Sequence, residues 1–396
     1  MNRHTTRRGF LAAGMAAPAA GLAATSPLPS PLSSPAGSPQ DPKVDLRPLG
    51  RTGMKVSRLA FGCMLASDPL VLERAIDLGI NYFDTARVYQ GGNNERMVGG
   101  ALKGKRDKVF LVTKAISTTK TEILNDLDTS LRELGTDYVD VWFIHNKNTP
   151  EEVKDELLEA QAIAKDAGKI RFRGLSFHFN MPRMLEHTLK LGVIDVALLS
   201  YNFTLGEEVG EAIIKARKQG LGIVAMKVMA GGYARIQRGD RLYGQEPSAL
   251  TARLKRPNAM LAALKWTLKN PSVDTAIIGM TNFEELEEDM RAMSEPFSGQ
   301  DAETLARQRE LIRPLYCHAC GACGGVCGRG VRVADTLRQL MYAEGYGQFP
   351  MARASYLDQP VAARAASCKD CGECTVNCPN GVNVRANLIR AQEMFA

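Results

Sequence analysis

Eight of the nine cysteines fall between residues 317 and 378, in two runs of identical spacing. The runs are Cys317-x2-Cys320-x2-Cys323-x3-Cys327 and Cys368-x2-Cys371-x2-Cys374-x3-Cys378. Thiolates at this density are ligands for soft metals, and three on one tight loop can cap three corners of an iron–sulfur cubane. Zinc is the weaker alternative, because its sites use two pairs of ligands rather than four closely spaced cysteines. Disulfides would suit an exported chain and are the other alternative. Cys63 stands apart and reads as a buried small hydrophobe.

A second group of residues carries acid–base chemistry. Asp84, Lys114 and His145 each end a short apolar run, and Tyr89 follows Asp84 by five residues. A charged residue at such a place is costly to bury unless it is paired. A phenol with a pKa near ~10 is a poor acid at neutral pH. An ammonium beside it favours phenolate, so Asp84 and Lys114 are expected to lower the Tyr89 pKa. Tyr89 would then give a proton to a carbonyl oxygen that His145 orients, with hydride arriving from a reduced nicotinamide.

These residues must be positioned by a repeating framework. Strand-like runs occur at Ser57–Gly62, Tyr82–Thr85, Val109–Lys114, Val139–His145, Phe172–Ser176, Val193–Ser200, Gly222–Val228 and Asp274–Gly279. Stretches of helical spacing separate them, and glycines such as Gly135 and Gly192 close several of these. Eight strand–helix units in about 250 residues have the size and rhythm of an α/β (β/α)₈ TIM barrel, whose chemistry sits at the C-terminal strand ends. The competing doubly wound sheet would show a glycine fingerprint after its first strand, which Phe61-Gly62-Cys63-Met64 lacks.

Several motifs then carry a family resemblance. Leu49-Gly50-Arg51-Thr52-Gly53 with Val56-Ser57, Phe83-Asp84-Thr85-Ala86 through Tyr89, Asn94-Glu95, Val112-Thr113-Lys114, Asp137-Tyr138-Val139-Asp140 and Lys169-Ile170-Arg171 resemble the aldo/keto reductase family over about residues 46–293. The resemblance implies a barrel reducing aldehydes and ketones, with Tyr89, Lys114, Asp84 and His145 as its catalytic tetrad. It implies nucleotide contacts at Ser176, Ser200, Met226, Lys227, Gly279, Met280, Glu288 and Asp289. Glu285 stands where members that bind NADPH hold the 2′-phosphate, so NADH is expected over NADPH. Both cysteine runs resemble the bacterial ferredoxin run for [4Fe–4S], and the second includes its proline, Pro379. In two-cluster ferredoxins the fourth ligand comes from the other run. By that rule Cys378 joins Cys317, Cys320 and Cys323, while Cys327 joins Cys368, Cys371 and Cys374. The whole chain resembles a subgroup of the family with a ferredoxin-like C-terminal extension.

Residues 1–25 have the layout of an export signal, and Thr6-Arg7-Arg8-Gly9-Phe10-Leu11 resembles the twin-arginine type, which carries folded cargo. A cluster loaded in the cytoplasm needs such a route, so the mature protein is expected in the periplasm. Residues 26–45 read as a Pro/Ser-rich linker, 46–296 as the barrel and 297–396 as a small helical ferredoxin-like domain with two [4Fe–4S] clusters. Arg235, Arg238, Arg241, Tyr243 and Arg253, after the seventh strand, read either as a cover for the active-site mouth or as a solvated loop face. The net charge of +7 includes Arg3, Arg7 and Arg8 and forms no basic block, so nucleic-acid binding has no support. No stretch after the signal has the ~20 apolar residues of a membrane span. The expected partners are a carbonyl or alcohol substrate and a redox protein. The alternative is an electron-transfer or docking protein whose barrel is a scaffold.

Overall fold

The computed structural model describes residues 44–230 and 258–396, all within one compact unit. The segment read as an export signal, residues 1–25, and most of the 26–45 stretch read as a linker lie outside the described residues, as do the arginines and tyrosine between 231 and 257. The chain enters through an antiparallel hairpin, β1 (Leu46–Pro48) and β2 (Lys55–Ser57). Eight parallel strands follow and close into a barrel. They are β3 (Leu59–Gly62), β4 (Tyr82–Asp84), β5 (Phe110–Ala115), β6 (Val139–Ile144), β7 (Ile170–Phe177), β8 (Val196–Ser200), β9 (Gly222–Met226) and β10 (Thr275–Ile278). In the closed order β10 pairs with β3, so the first and last barrel strands join.

Seven of the helices between and after these strands are α1 (Pro69–Asp77), α2 (Asn93–Ala101), α3 (Lys120–Leu134), α4 (Asp155–Asp166), α5 (Met181–Leu191), α6 (Glu207–Lys218) and α7 (Ala259–Leu268), with α8 (Phe283–Ser294) after β10. Their starts and stops follow local chemistry. The Asp68 carboxylate accepts the Leu70 N–H at the head of α1, and Gly135 ends α3 in the left-handed conformation, φ 64°. Most of the barrel strands are buried along nearly their whole length, as β6 shows, which is what continuous apolar runs covered on both faces require, whereas β7 is fully covered only from Gly174 onward.

Two apolar layers result. Residues such as Leu72, Leu127, Leu157 and Ile213 fill the space between barrel and helices, whereas Ala60, Tyr82, Val112, Val141, Val196 and Val224 fill the barrel interior. Leu49, Met54 and Val56 from the hairpin join the interior cluster and close the end of the barrel opposite the mouth. The sequence pattern runs the hairpin's Ser57 into the first barrel strand; the structure ends β2 there, and the Ser57 hydroxyl donates to the Leu59 carbonyl at 2.7 Å. The hairpin tip depends on Gly50, at φ 51°, where an added Cβ would stand 2.3 Å from the Gly222 backbone nitrogen. Gly50→Ala therefore meets both a strained φ and a backbone clash. It is expected to cost roughly 2–4 kcal/mol, read as a lowered denaturant midpoint with unchanged slope.

The C-terminal part is helical: α9 (Gly299–Ile312), α10 (Val333–Glu344), α11 (Phe349–Leu357) and α12 (Val384–Phe395). The α9 helix lies against α7, where Lys265 Nζ is 2.8 Å from Asp301 Oδ2. Phe203, Ala262 and Ala263 of the barrel share a core with Leu305, Ile312, Tyr316 and Met341. Helices α10 to α12 enclose a core of their own around Tyr356 and Phe395. The two cysteine runs occupy the loops before α10 and before α12.

Candidate functional site

Asp84 is the last residue of β4, Lys114 the penultimate residue of β5, and His145 follows β6 directly. Parallel pairing of these neighbouring strands therefore brings three side chains to one rim. Lys114 Nζ donates to Asp84 Oδ1 at 2.6 Å, to the Thr85 carbonyl at 2.6 Å and to the Tyr89 hydroxyl at 3.1 Å. The His145 ring stands edge-on to the Tyr89 ring, with centroids 6.3 Å apart. A left-handed turn through Gln90, Gly91 and Gly92 directs Tyr89 inward, and the Gln90 amide anchors it by donating to the Ala66 carbonyl at 2.9 Å. Behind the tetrad, Asn94 and Glu95 are fully buried. Thr85 donates to Asn94 Oδ1 and Thr113 to Glu95 Oε1, which fixes the residues next to Asp84 and Lys114; Arg87 pairs with the same Glu95 carboxylate.

The electrostatics differ from the sequence expectation at Tyr89. Burial pushes its phenol well above the ordinary value, and the charges of Asp84 and Tyr342 add to the rise. Lost hydration of the phenolate outweighs the benefit of a nearby ammonium, so Tyr89 holds its proton across the neutral range. Burial also raises the Asp84 carboxyl, against the pull of Lys114. His145 is held well below the ordinary imidazole range by burial and then by Lys114 and Arg338. His178, whose ring centroid is 6.3 Å from that of His145, is depressed likewise by burial and then by Arg338.

Both histidines are thus neutral in the fold, yet charge in the unfolded chain below pH ~6.5. The unfolded state binds more protons there, so stability falls as pH drops below that point, by about 1.4 kcal/mol per pH unit for each histidine. A His145→Gln, His178→Gln variant should show a shallower loss of thermal midpoint between pH about 7 and about 5.5 than the parent chain.

The tetrad opens into a cavity of about 610 Å³ that extends past Met226 and Lys227 to Gly279, Thr281 and Glu285. Of the expected nucleotide contacts, Met226, Lys227 and Gly279 line it. Ser176 is spent on the Asn146 backbone N–H, 3.0 Å away, and Ser200 faces a smaller cavity beside the first cysteine run. Met280 is fully buried in the layer between barrel and helices, Asp289 is fully buried in α8, and Glu288 lies on that helix away from the cavity wall. The β10 strand ends at Ile278, so Met280 turns back toward the helices. At the far end Glu285 accepts from the Thr281 N–H at 2.8 Å and from its hydroxyl at 3.0 Å.

The opposite wall was not foreseen from sequence. Arg338 and Tyr342, one turn apart on α10, line the cavity together with Tyr346 and Phe349, and α11 packs on the Tyr89–Gly92 turn. Lys227 Nζ donates to the Tyr342 hydroxyl at 2.9 Å, and Arg338 donates to Asn146 Oδ1. The only sequence signal was an amphipathic helix whose polar face carries an arginine and a tyrosine at i, i+4.

The two cysteine runs interlock. The half-buried Cys317 thiol lies within electrostatic reach of Cys323, Cys320 and Cys378, and Cys368 lies within reach of Cys327, Cys374 and Cys371. The second foursome lines a cavity of about 230 Å³. None of the nine cysteines is in a disulfide, and among the described residues no group is arranged to hold a single metal ion. Each foursome, three thiols from one run and one from the other, is a donor set of the kind a cubane cluster takes. Cys317 also lines a small cavity with His178 and Lys227, which themselves line the large one. One layer of side chains therefore separates the first run from the tetrad's cavity.

Comparisons with known proteins agree with this arrangement. Residues 67–310 match the aldo/keto reductase family and residues 316–383 match a 4Fe-4S dicluster domain. L-galactose dehydrogenase of Arabidopsis thaliana is 26% identical over 305 residues, covering 69% of this chain and 96% of the plant protein. L-glyceraldehyde 3-phosphate reductase of Escherichia coli O157:H7 is 26% identical over 310 residues, covering 64% of this chain and 88% of the other. A solved aldo-keto reductase from Bacillus halodurans, in its holo form, superposes with a TM-score of 0.55 at 28% identity, covering 68% of this chain and 96% of that one. An eight-stranded parallel barrel, the motifs at its strand ends and a family match over most of the chain lead to one assignment: the chain belongs to the aldo/keto reductase family and carries a 4Fe-4S dicluster domain at its C-terminus.

Proposed function

We propose that this chain is an exported NAD(P)-dependent oxidoreductase that reduces a carbonyl compound, or oxidises the matching alcohol, and that its C-terminal domain holds two [4Fe–4S] clusters. The carrying observation is Lys114 Nζ, bonded at once to Asp84 and to the Tyr89 hydroxyl beside the 610 Å³ cavity. A nicotinamide bound in that cavity supplies or accepts the hydride. Tyr89, kept protonated by burial, gives its proton to the substrate oxygen as negative charge develops there. Lys114 then faces the phenolate that remains, and Asp84 holds the ammonium in place. Neutral His145 can donate to the same substrate oxygen and orient it.

The cavity fits a dinucleotide whose adenosine end carries no 2′-phosphate. The Thr281 N–H and hydroxyl, the donors at that end, already serve the Glu285 carboxylate, which would repel a phosphate. NADH is therefore the favoured cofactor. Cys317, Cys320, Cys323 and Cys378 would hold one cluster, and Cys368, Cys371, Cys374 and Cys327 the other, passing single electrons to a redox protein. The twin-arginine segment at Arg7-Arg8 supports export of the loaded protein to the periplasm.

Calorimetry on anaerobically purified protein tests the nucleotide half of this reading. NADH should bind at least about tenfold tighter than NADPH, a gap of about 1.4 kcal/mol. Failure of both dinucleotides to bind would leave the barrel without its hydride carrier and sink the reading.

A further inference from the structure

The cavity wall built by the C-terminal domain carries charge that the tetrad does not use. Lys227 directly follows β9 and sits at φ 55°, a left-handed backbone that a side chain other than glycine adopts only under constraint. Its ammonium donates to the Tyr342 hydroxyl and lies 4.4 Å from that ring's centroid. Among the described residues no carboxylate pairs with it.

Arg338 is 6% exposed, and its Nε is buried without a hydrogen-bond partner among the described residues. One of its terminal nitrogens bonds Asn146 and the other meets Asp335 at 2.7 Å. His178, 4% exposed, also lines the cavity, and its Nδ1 has no partner among the described residues.

The acids on the same cavity are engaged elsewhere. Asp84 pairs with Lys114, Glu344 with Arg390, and Glu285 takes the two donors of Thr281. The wall formed by Lys227, Arg338 and His178 therefore faces the cavity with one ammonium, Lys227, that no carboxylate among the described residues compensates, and with unused polar atoms on Arg338, whose charge Asp335 balances, and on neutral His178. Such a wall disfavours a cation and leaves a neutral ligand's dipoles poorly used, whereas an anion satisfies it.

We propose that Lys227 and Arg338, braced by Tyr342, bind an anionic group of the substrate, so that the carbonyl compound taken by this barrel bears a carboxylate or a phosphate. This rests on the reading of the tetrad as a carbonyl-reducing site. It assigns the iron–sulfur domain a second role, since Arg338 and Tyr342 belong to α10 and reach the cavity only when that domain is seated on the barrel.

Three probes of one carbon skeleton separate charge from shape: glycerate, glycerol 3-phosphate and glycerol. Equilibrium binding to the anaerobic holoprotein, with and without saturating NADH, should show at least one of the two anions about tenfold or more tighter than glycerol, as charge-assisted hydrogen bonds provide. The tighter of the two identifies carboxylate or phosphate. Lys227→Met should erase the preference, Tyr342→Phe should reduce it, and Lys227→Arg should retain it, which separates lost charge from lost fold. Equal binding of all three probes overturns the proposal, and so does a preference that survives Lys227→Met. Competition between NADH and both anions also overturns it, because the wall would then serve the nucleotide's own phosphates. If no dinucleotide binds at all, the hydride reading fails, while the anion preference still stands or falls on the three probes.

Discussion

Tyr89→Phe is expected to lower kcat/KM for carbonyl reduction by about 10²–10⁴-fold while leaving dinucleotide affinity within a factor of about three. The phenol is the group placed to deliver a proton, and the substitution removes one oxygen while keeping the ring that packs beside His145. Burial holds the phenol protonated far above neutrality, so the parent enzyme's rate of reduction should stay flat through the neutral range instead of falling near pH 7. Lys114→Met should be as damaging, through a different route. It strands Asp84, 3% exposed, without its cation, so this variant should also lose stability, by about 3–5 kcal/mol for a broken buried pair. Steady-state rates with a panel of aldehydes, set beside NADH binding and thermal melts, separate the two effects. A Tyr89→Phe variant retaining more than about a tenth of the parent's kcat/KM would remove Tyr89 from the acid–base role.

Cys320→Ser and Cys378→Ser, one in each run, are expected to destroy the same cluster. The fold groups Cys378 with the first run, so each variant should fall from about eight irons per chain to about four, and the double variant should fall no further. Cys320→Ser combined with Cys327→Ser, both in the first run, should instead strike both clusters and leave almost no iron. Iron and sulfide analysis with low-temperature paramagnetic resonance reads the outcome. Complete iron loss on combining Cys320→Ser with Cys378→Ser would show that each run closes its own cluster. Loss of the first cluster should also loosen the cavity wall, because its loop sits against the β7–α5 turn. An added Cβ at Gly321 would stand 1.8 Å from Asn180 Oδ1.

Much of the barrel was legible because its signals are local. A strand buried on both faces must be apolar along its length, and a helix must show its 3.6-residue stripe, so both periods survive in a single sequence. The sequence runs for the eight strands overlap the observed strands, with errors at the ends. Val193–Asp195 lies before β8, where the Asp195 backbone bonds into neighbouring strands without joining the ladder. Val228 lies beyond β9, because Lys227 turns left-handed. The N-terminal hairpin was hidden because its three-residue strands are too short to show a period. The tetrad's convergence was legible for a related reason: parallel neighbours in a barrel must bring their C-terminal ends to one rim.

The amino-acid sequence by itself determined the barrel class, the three polar residues at successive strand ends with Tyr89 just beyond the first, and the two loops of closely spaced thiols, because each is set by spacing along a few residues. Tertiary structure alone decided the upward direction of the Tyr89 pKa and the identity of the cavity's far wall. These depend on distance through space and on lost water, neither of which local periodicity records. Lys227 and Tyr342 touch across 115 residues of chain, and no pattern within either segment specifies that contact. The cysteines mark an electron-carrying domain in the sequence. Only its seating on the barrel makes that domain part of the site where the tetrad acts.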